Sequence, residues 1–151
     1  MTEHPVPVLE YAYDSTIYHT DCVKALNSVP AESADLIICD PPYNFGKDFG
    51  NDSDKRKEDD YLAWCEEWIL QCHRVLKKTG TCYIYGLSTT LALIFARIHS
   101  NKAITWKVDW LVWHYTNKTN PKAKTFQRSH ESILFCRFPG SKFNRDLVRE
   151  A

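Results

Sequence analysis

The sequence predicts an α/β fold, a three-layer sandwich in which helices cover both faces of a sheet with parallel strands. Three observations lead there. The run Ala34-Asp35-Leu36-Ile37-Ile38-Cys39 is continuously apolar apart from one residue, not alternating, as suits a strand covered on both faces. Further on, Tyr61, Leu62, Cys65, Trp68, Ile69, Cys72, Val75 and Leu76 recur at three- and four-residue spacing, which marks one face of a helix. Strand-like and helix-like segments then alternate along the chain, the order that builds a layered α/β domain.

Taken in order, Ser15 to His19 is a short strand candidate, and Cys22 to Ser28 a short helix that ends before Pro30. After the strand 34–39, Asn44 to Asp60 holds Gly46, Gly50 and many charges, and reads as a long mobile loop. Asp59 or Asp60 caps the start of the amphipathic helix, and Gly80 lies just past its end. Thr81 to Tyr85 is the next strand, Gly86 a turn, and Ser88 a cap for a helix through about His99. Ile104 to Tyr115 and Ser132 to Arg137 are strands, and the polar, basic segment Thr116 to His130, with Pro121 inside it, joins them. No repeat or low-complexity segment interrupts this order.

The length of 151 residues suits one domain with a substantial core. Six cysteines, Cys22, Cys39, Cys65, Cys72, Cys82 and Cys136, form no C-x-x-C pair and fall mostly at apolar positions. That usage points to free, buried thiols in a reducing cytoplasm, not to disulfides or a metal site. Met1 to Glu10 has no apolar signal core, and no stretch approaches the ~20 apolar residues of a membrane span. The sequence reads as a cytoplasmic protein with no membrane partner. The formal net charge is zero, but its distribution is uneven. Eight acids (Asp48, Asp52, Asp54, Glu58, Asp59, Asp60, Glu66, Glu67) stand against Lys55, Arg56 and Lys57 in the middle of the chain. From Tyr115 onward eight bases (Lys118, Lys122, Lys124, Arg128, Arg137, Lys142, Arg145, Arg149) outnumber Glu131, Asp146 and Glu150, so this third suits phosphates.

Asp40-Pro41-Pro42-Tyr43 follows the strand 34–39 directly, and in α/β sheets ligands bind at the C-terminal ends of strands. An acid, two rigid prolines and an aromatic there form a device for gripping a planar amine. These residues resemble motif IV of the amino-group DNA methyltransferases, which implies as substrate the exocyclic amine of adenine or cytosine, a poor nucleophile because its lone pair is delocalised into the ring. Hydrogen bonds from its two N–H groups to the Asp40 side chain and a carbonyl at Pro41 favour tetrahedral nitrogen and aim the lone pair. The prolines fix φ and keep that carbonyl aimed, while Tyr43 stacks on the base. Phe45 is either a second wall or a loop anchor. A base inside a duplex is out of reach and must be flipped out, at a few kcal/mol, which aromatic stacking worth about 1 to 3 kcal/mol offsets. No Pro-Cys pair is present for covalent cytosine-C5 chemistry.

The amino-group DNA methyltransferases are site-specific enzymes of DNA methylation and restriction-modification. They transfer a methyl group from S-adenosyl-L-methionine to adenine N6 or cytosine N4. The resemblance extends to Thr20-Asp21-Cys22, similar to motif III, and to Trp113 through Phe135 with Asn117, Pro121, Arg128, His130 and Glu131, similar to motif VIII. Phe143-Asn144-Arg145-Asp146 with Val148-Arg149 resembles the opening of target recognition in the class with motif IV first. It implies catalytic roles for Asp40, Pro41, Pro42 and Tyr43, cofactor contacts from Asp21, Cys22 and Asp40, double-stranded DNA as partner and no metal. Adenine N6 is the expected target; cytosine N4, or a non-catalytic nucleic-acid-binding remnant, are the alternatives. Asp21 is either a cofactor contact or a helix cap, and the run Lys118, Lys122, Lys124, Arg128 either meets DNA, as Phe45 would, or is a solvated loop. The tryptophans at 64, 68, 106, 110 and 113 read as packing, and the histidines as structural.

The chain departs from the family in one respect. Enzymes of this order carry a Phe-x-Gly-x-Gly cofactor loop after target recognition, and the five glycines, 46, 50, 80, 86 and 140, include no G-x-G. The expectation is a single incomplete catalytic domain over 1–151, with target recognition beginning near 138–151. Its partial Rossmann-like S-adenosylmethionine-dependent methyltransferase sheet would have an open edge. A second chain or a C-terminal half would supply the loop, and this chain would be inactive alone.

Overall fold

A computed structural model describes residues 7–11, 15–44, 46, 55–116, 122, 124–141 and 143. Among the described residues nine elements follow one another: β1 (Pro7–Tyr11), β2 (Ser15–Tyr18), α1 (Cys22–Ser28), β3 (Ala34–Cys39), α2 (Glu58–Val75), β4 (Leu76–Gly86), α3 (Ser88–Ser100), β5 (Lys107–His114) and β6 (His130–Arg137). β1 and β2 form an antiparallel pair, and the other strands make one sheet in the order β3-β4-β6-β5. β3 runs parallel to β4, while β6 is antiparallel to both β4 and β5. The sheet is therefore mixed, with β6 running against both of its neighbours.

The α/β architecture is as expected, but the layers are unequal. Cys82 and Ile84 of β4 and Leu134 and Cys136 of β6 are completely buried in one cluster with Leu62, Trp68 and Ile69 of α2 and Leu91, Ile94 and Ile98 of α3. Val23 and Leu26 of α1, and Ile37 and Cys39 of β3, pack against the same cluster. All three described helices thus share one face of the sheet. On the other face Leu36 is 54% and Ile38 65% exposed, correcting the expectation of a strand covered on both sides. A continuous apolar run shows that both faces are apolar, not that both are covered.

The interhelical contact of α1 has a specific fastening. Arg74 of α2 donates from Nη2 to the carbonyl of Leu26 (2.7 Å) and from Nη1 to that of Val29 (3.0 Å), satisfying carbonyls that a helix C-terminus leaves open. Gln71 steadies the guanidinium through Nε at 2.8 Å. The backbone of Glu32 and Ser33 then donates to the carbonyls of Arg74 and Val75, which sets the entry into β3.

Other boundaries shift. α2 begins at Glu58 with Lys57 at its cap position, so Asp59 and Asp60 lie in the first turn, where carboxylates favour the helix dipole without capping it. Leu76 ends the helix in extended conformation, and Gly80 lies inside β4. The need for glycine is steric: a Cβ at 80 would stand 2.8 Å from both the Asp35 carbonyl oxygen and Leu76 Cδ1. Ser88 is the first residue of α3, not its cap, and β5 is shorter than the alternation suggested. Trp68 and Trp106 are buried as packing residues, whereas Trp113 is 59% exposed. Cys65, Cys72, Cys82 and Cys136 are buried and Cys22 is exposed; burial pushes the Cys65 thiol up to about 11. Among the described residues no helix is long and apolar enough to cross a membrane.

Ile84→Ala and Leu134→Ala are each expected to cost about 2 to 5 kcal/mol of stability. Ile38→Thr, on the bare face, is expected to stay within about 0.5 kcal/mol. Urea denaturation midpoints at constant m distinguish the cases; an equal loss at Ile38 would contradict the unequal faces.

Candidate active site

Pro41 and Pro42 have no N–H, so the β3 ladder stops at Cys39 and the chain turns off at the sheet's rim. Tyr61, buried in the first turns of α2, holds that turn by donating its hydroxyl to the Pro42 carbonyl at 2.8 Å. Asn44 has φ +59°, a left-handed conformation that asparagine tolerates. Its amide donates to the Arg56 carbonyl (2.9 Å) and accepts from the Arg56 N–H (2.8 Å), closing the segment between them into a neck. Arg56 in turn lies 4.6 Å over the Trp64 ring, a cation–π contact.

Asp40 is exposed, and its Oδ1 accepts the Tyr43 hydroxyl at 2.9 Å. Burial, then the hydrogen bond to Asp40, push the Tyr43 phenol up to about 12. Glu131 adds to that rise and Arg128 opposes it, so both lie close enough to act on Tyr43. Tyr43 therefore remains a neutral donor at any ordinary pH.

The register explains why these distant residues meet. Cys39 aligns with Ile84, and Ile84 with Leu134, so the C-terminal ends of β3, β4 and β5 and the N-terminal end of antiparallel β6 share one rim. Tyr115 closes the connection between β5 and β6: its N–H donates to the Ser129 carbonyl at 2.9 Å, and its hydroxyl to Arg128 O and Glu131 Oε1, each at 3.4 Å. Arg128 Nη2 pairs with the same Glu131 oxygen at 3.2 Å. Ser88 Oγ lies 2.7 Å from Ser132 Oγ and 3.4 Å from His130 Nε2. Tyr115, Ser88 and Ser132 carry no sequence signal as site residues, since cross-strand register alone brings them here.

Beside β3 lies a cleft of about 500 Å³, lined by Tyr18, Cys22, Leu26, Ile38, Asp40 and Trp64 among others. It brings together two of the expected cofactor residues, Cys22 and Asp40. Asp21 is adjacent, with Oδ1 capping α1 through the N–H groups of Val23 (3.0 Å) and Lys24 (3.1 Å). Partial burial, then the Asp21 carboxylate, push the Cys22 thiol up. Lys122 and Lys124 are exposed and Arg128 is half-buried. The expected DNA contacts Phe45 and Lys118 lie outside the described residues, as do Asn117 and Pro121. Among the described residues no three His, Cys, Asp or Glu side chains converge as a metal site requires.

Residues 34–151, from β3 to the end of the chain, match the family model for N6/N4 DNA methylases. The chain belongs to that DNA methylase family. It is 34% identical over 138 residues to the type II methyltransferase M.HpaI of Haemophilus parainfluenzae, covering 90% of this chain and 43% of that protein. It is 40% identical over 119 residues to the DNA adenine methyltransferase YhdJ of Escherichia coli strain K12, covering 79% of this chain and 40% of the relative. The chain thus spans about two fifths of the length of these relatives. In fold it is similar to the cytosine-N4-specific PvuII DNA methyltransferase, with TM-score 0.66, 15% identity, and coverage of 88% of this chain and 53% of that one. The M1.HpyAVI structure in complex with S-adenosyl-L-methionine is similar at TM-score 0.56 and 20% identity, over 83% of this chain and 55% of that one.

A raised phenol pKa fixes the sign of one pH effect. Between pH 10 and about 12 the folded protein keeps the Tyr43 proton while the unfolded chain releases it, so stability is lost as pH rises through that window. Tyr43→Phe is expected to remove this loss; denaturation at pH 9 and at pH 11 measures it, and an identical pH dependence in both proteins would contradict the Tyr43 environment.

Proposed function

We propose that this chain carries the amine-binding part of a site-specific DNA methyltransferase that methylates N6 of an adenine flipped out of duplex DNA. The observation that carries the reading is the Asp40–Tyr43 turn, an exposed carboxylate and an aromatic at the rim beside the cleft. Asp40 and the Pro41 carbonyl accept the two amine N–H groups, which localises the nitrogen lone pair. Tyr43, released from Asp40 when the amine takes its place, stacks on the base. Because Tyr61 already occupies the Pro42 carbonyl, that group stays fixed behind the turn. Apolar walls from Tyr18, Leu26 and Trp64 beside the Asp40 carboxylate suit a ligand that combines a flat ring with positive charge. S-adenosyl-L-methionine, bound there against Asp21, Cys22 and Asp40, supplies an electrophilic methyl on sulfonium sulfur. The name of YhdJ supports adenine as the target; the amine geometry itself serves cytosine N4 equally.

The same reading makes 1–151 one incomplete catalytic domain of a cytoplasmic enzyme, with target recognition starting near 138–151 and Phe45, Lys118, Lys122, Lys124 and Arg128 toward DNA. A second chain or C-terminal half supplies the glycine-rich loop. Support comes from β3, whose outer edge pairs with no described strand, from the bare Leu36 and Ile38, and from the span of two fifths of the relatives.

The test is transfer of labelled methyl from S-adenosyl-L-methionine to unmethylated DNA, followed by nucleoside analysis. The chain is assayed alone and with the C-terminal part of YhdJ added in trans. Label in N6-methyladenine only in the mixture is expected, and Asp40→Ala should lower it about 100- to 1,000-fold. Label with the chain alone would refute incompleteness, label in N4-methylcytosine would refute the base, and no label in either would refute catalysis.

A further inference from the structure

Glu131 holds an atom that the proposed reaction does not use. Its Oε1 takes two donors, Tyr115 and Arg128, while Oε2 is buried with no hydrogen-bond partner among the described residues. A desolvated carboxylate oxygen left without a donor is costly, and such atoms call for a ligand that completes them. Glu131 stands opposite Trp113 on the sheet face away from the helices, at the same rim as Asp40. β6 is two strands from β3, about 9 to 10 Å at the usual spacing. Glu131 thus stands to one side of the strand that carries Asp40, within a nucleotide's reach along the same rim.

Resting on the DNA reading above, we propose that Glu131 Oε2 accepts a hydrogen bond from the exocyclic amine of the base next to the target, selecting adenine or cytosine there over thymine. Adenine N6 and cytosine N4 present donors, whereas thymine O4 presents an acceptor that a carboxylate repels. Since Oε2 is closed to water in the free protein, the base enters with a rearrangement of rim side chains. The electrostatic influence of Glu131 on Tyr43 agrees with this placement. Glu131 is then a specificity residue, distinct from the amine grip of Asp40 and Pro41.

Glu131→Gln tests this cleanly. Tyr115 and Arg128 both donate to Oε1, so they hold the amide oxygen there and turn the NH₂ group into the place of Oε2. The fastening survives while the free acceptor becomes a donor. Binding of short, otherwise abasic single strands that each carry one deoxyadenosine, flanked on both sides by deoxyadenosine, deoxycytidine or thymidine, followed by fluorescence anisotropy, reads the result, since all three offer Asp40 the same amine. The unaltered chain is expected to bind the first two about tenfold more tightly than the third. E131Q is expected to lose that preference and to bind the thymidine-flanked strand more tightly than the unaltered chain does. Tyr115→Phe, which keeps Oε2, should retain the preference. If E131Q proves unfolded by circular dichroism, Glu131→Asp, which withdraws the carboxylate, should lose the preference without reversing it. An unchanged preference in E131Q or, in its stead, E131D overturns the proposal. Failure of the unaltered chain to bind any of these strands overturns instead the DNA reading on which it rests.

Discussion

Two consecutive prolines end the β3 ladder at Cys39, and the arrangement of the site depends on that stop. With no N–H to offer at 41 or 42, the chain leaves the sheet, and Asp40 is delivered to solvent at the rim. Tyr61 then fixes the Pro42 carbonyl, and the paired bonds of Asn44 and Arg56 return the chain toward α2. The turn is thus held from the helix layer and from its own neck, while its acidic end remains open. A rigid frame behind one reactive group is what orientation of a weak nucleophile requires.

The second constraint is the sheet's asymmetry. One face joins α1, α2 and α3 in a single core whose central side chains are completely buried. The opposite face carries Leu36, Ile38, Tyr83, Tyr85, Leu111 and Trp113, with Tyr85 and Trp113 ring centroids 6.4 Å apart. Antiparallel β6 links the two halves of the rim, because its first residues lie beside the last residues of β4 and β5. Glu131 and Arg128 share the rim with Tyr43 by that reversal and not by closeness in sequence.

Most elements were legible because they rest on local patterns. The helical spacing from Tyr61 to Val75 and the strand run 34–39 both appear where expected, and Asp40–Tyr43 could be singled out because a strand led directly into it. What could not be read depends on neighbours. The bare face of β3 depends on which layers are present, and the role of Gly80 on how closely β3 approaches it. Ser88 has the composition of a cap, yet a buried Ser132 across the sheet offered its hydroxyl a better partner. The closure of the α1 C-terminus by Arg74 emerges only once α1 and α2 are packed. Glu131 was visible as part of a family-like segment, but its shared oxygen and its orphaned one are consequences of register.

The central claim is that the rim grips a planar amine through both of its N–H groups. The most direct measurement compares binding of an otherwise abasic strand carrying one deoxyadenosine with that of the same strand carrying one N6,N6-dimethyladenine, which keeps the ring but has no N–H to donate. A loss of about tenfold or more on dimethylation, abolished by Asp40→Ala, is the predicted result. Equal affinity for the two strands would contradict the account.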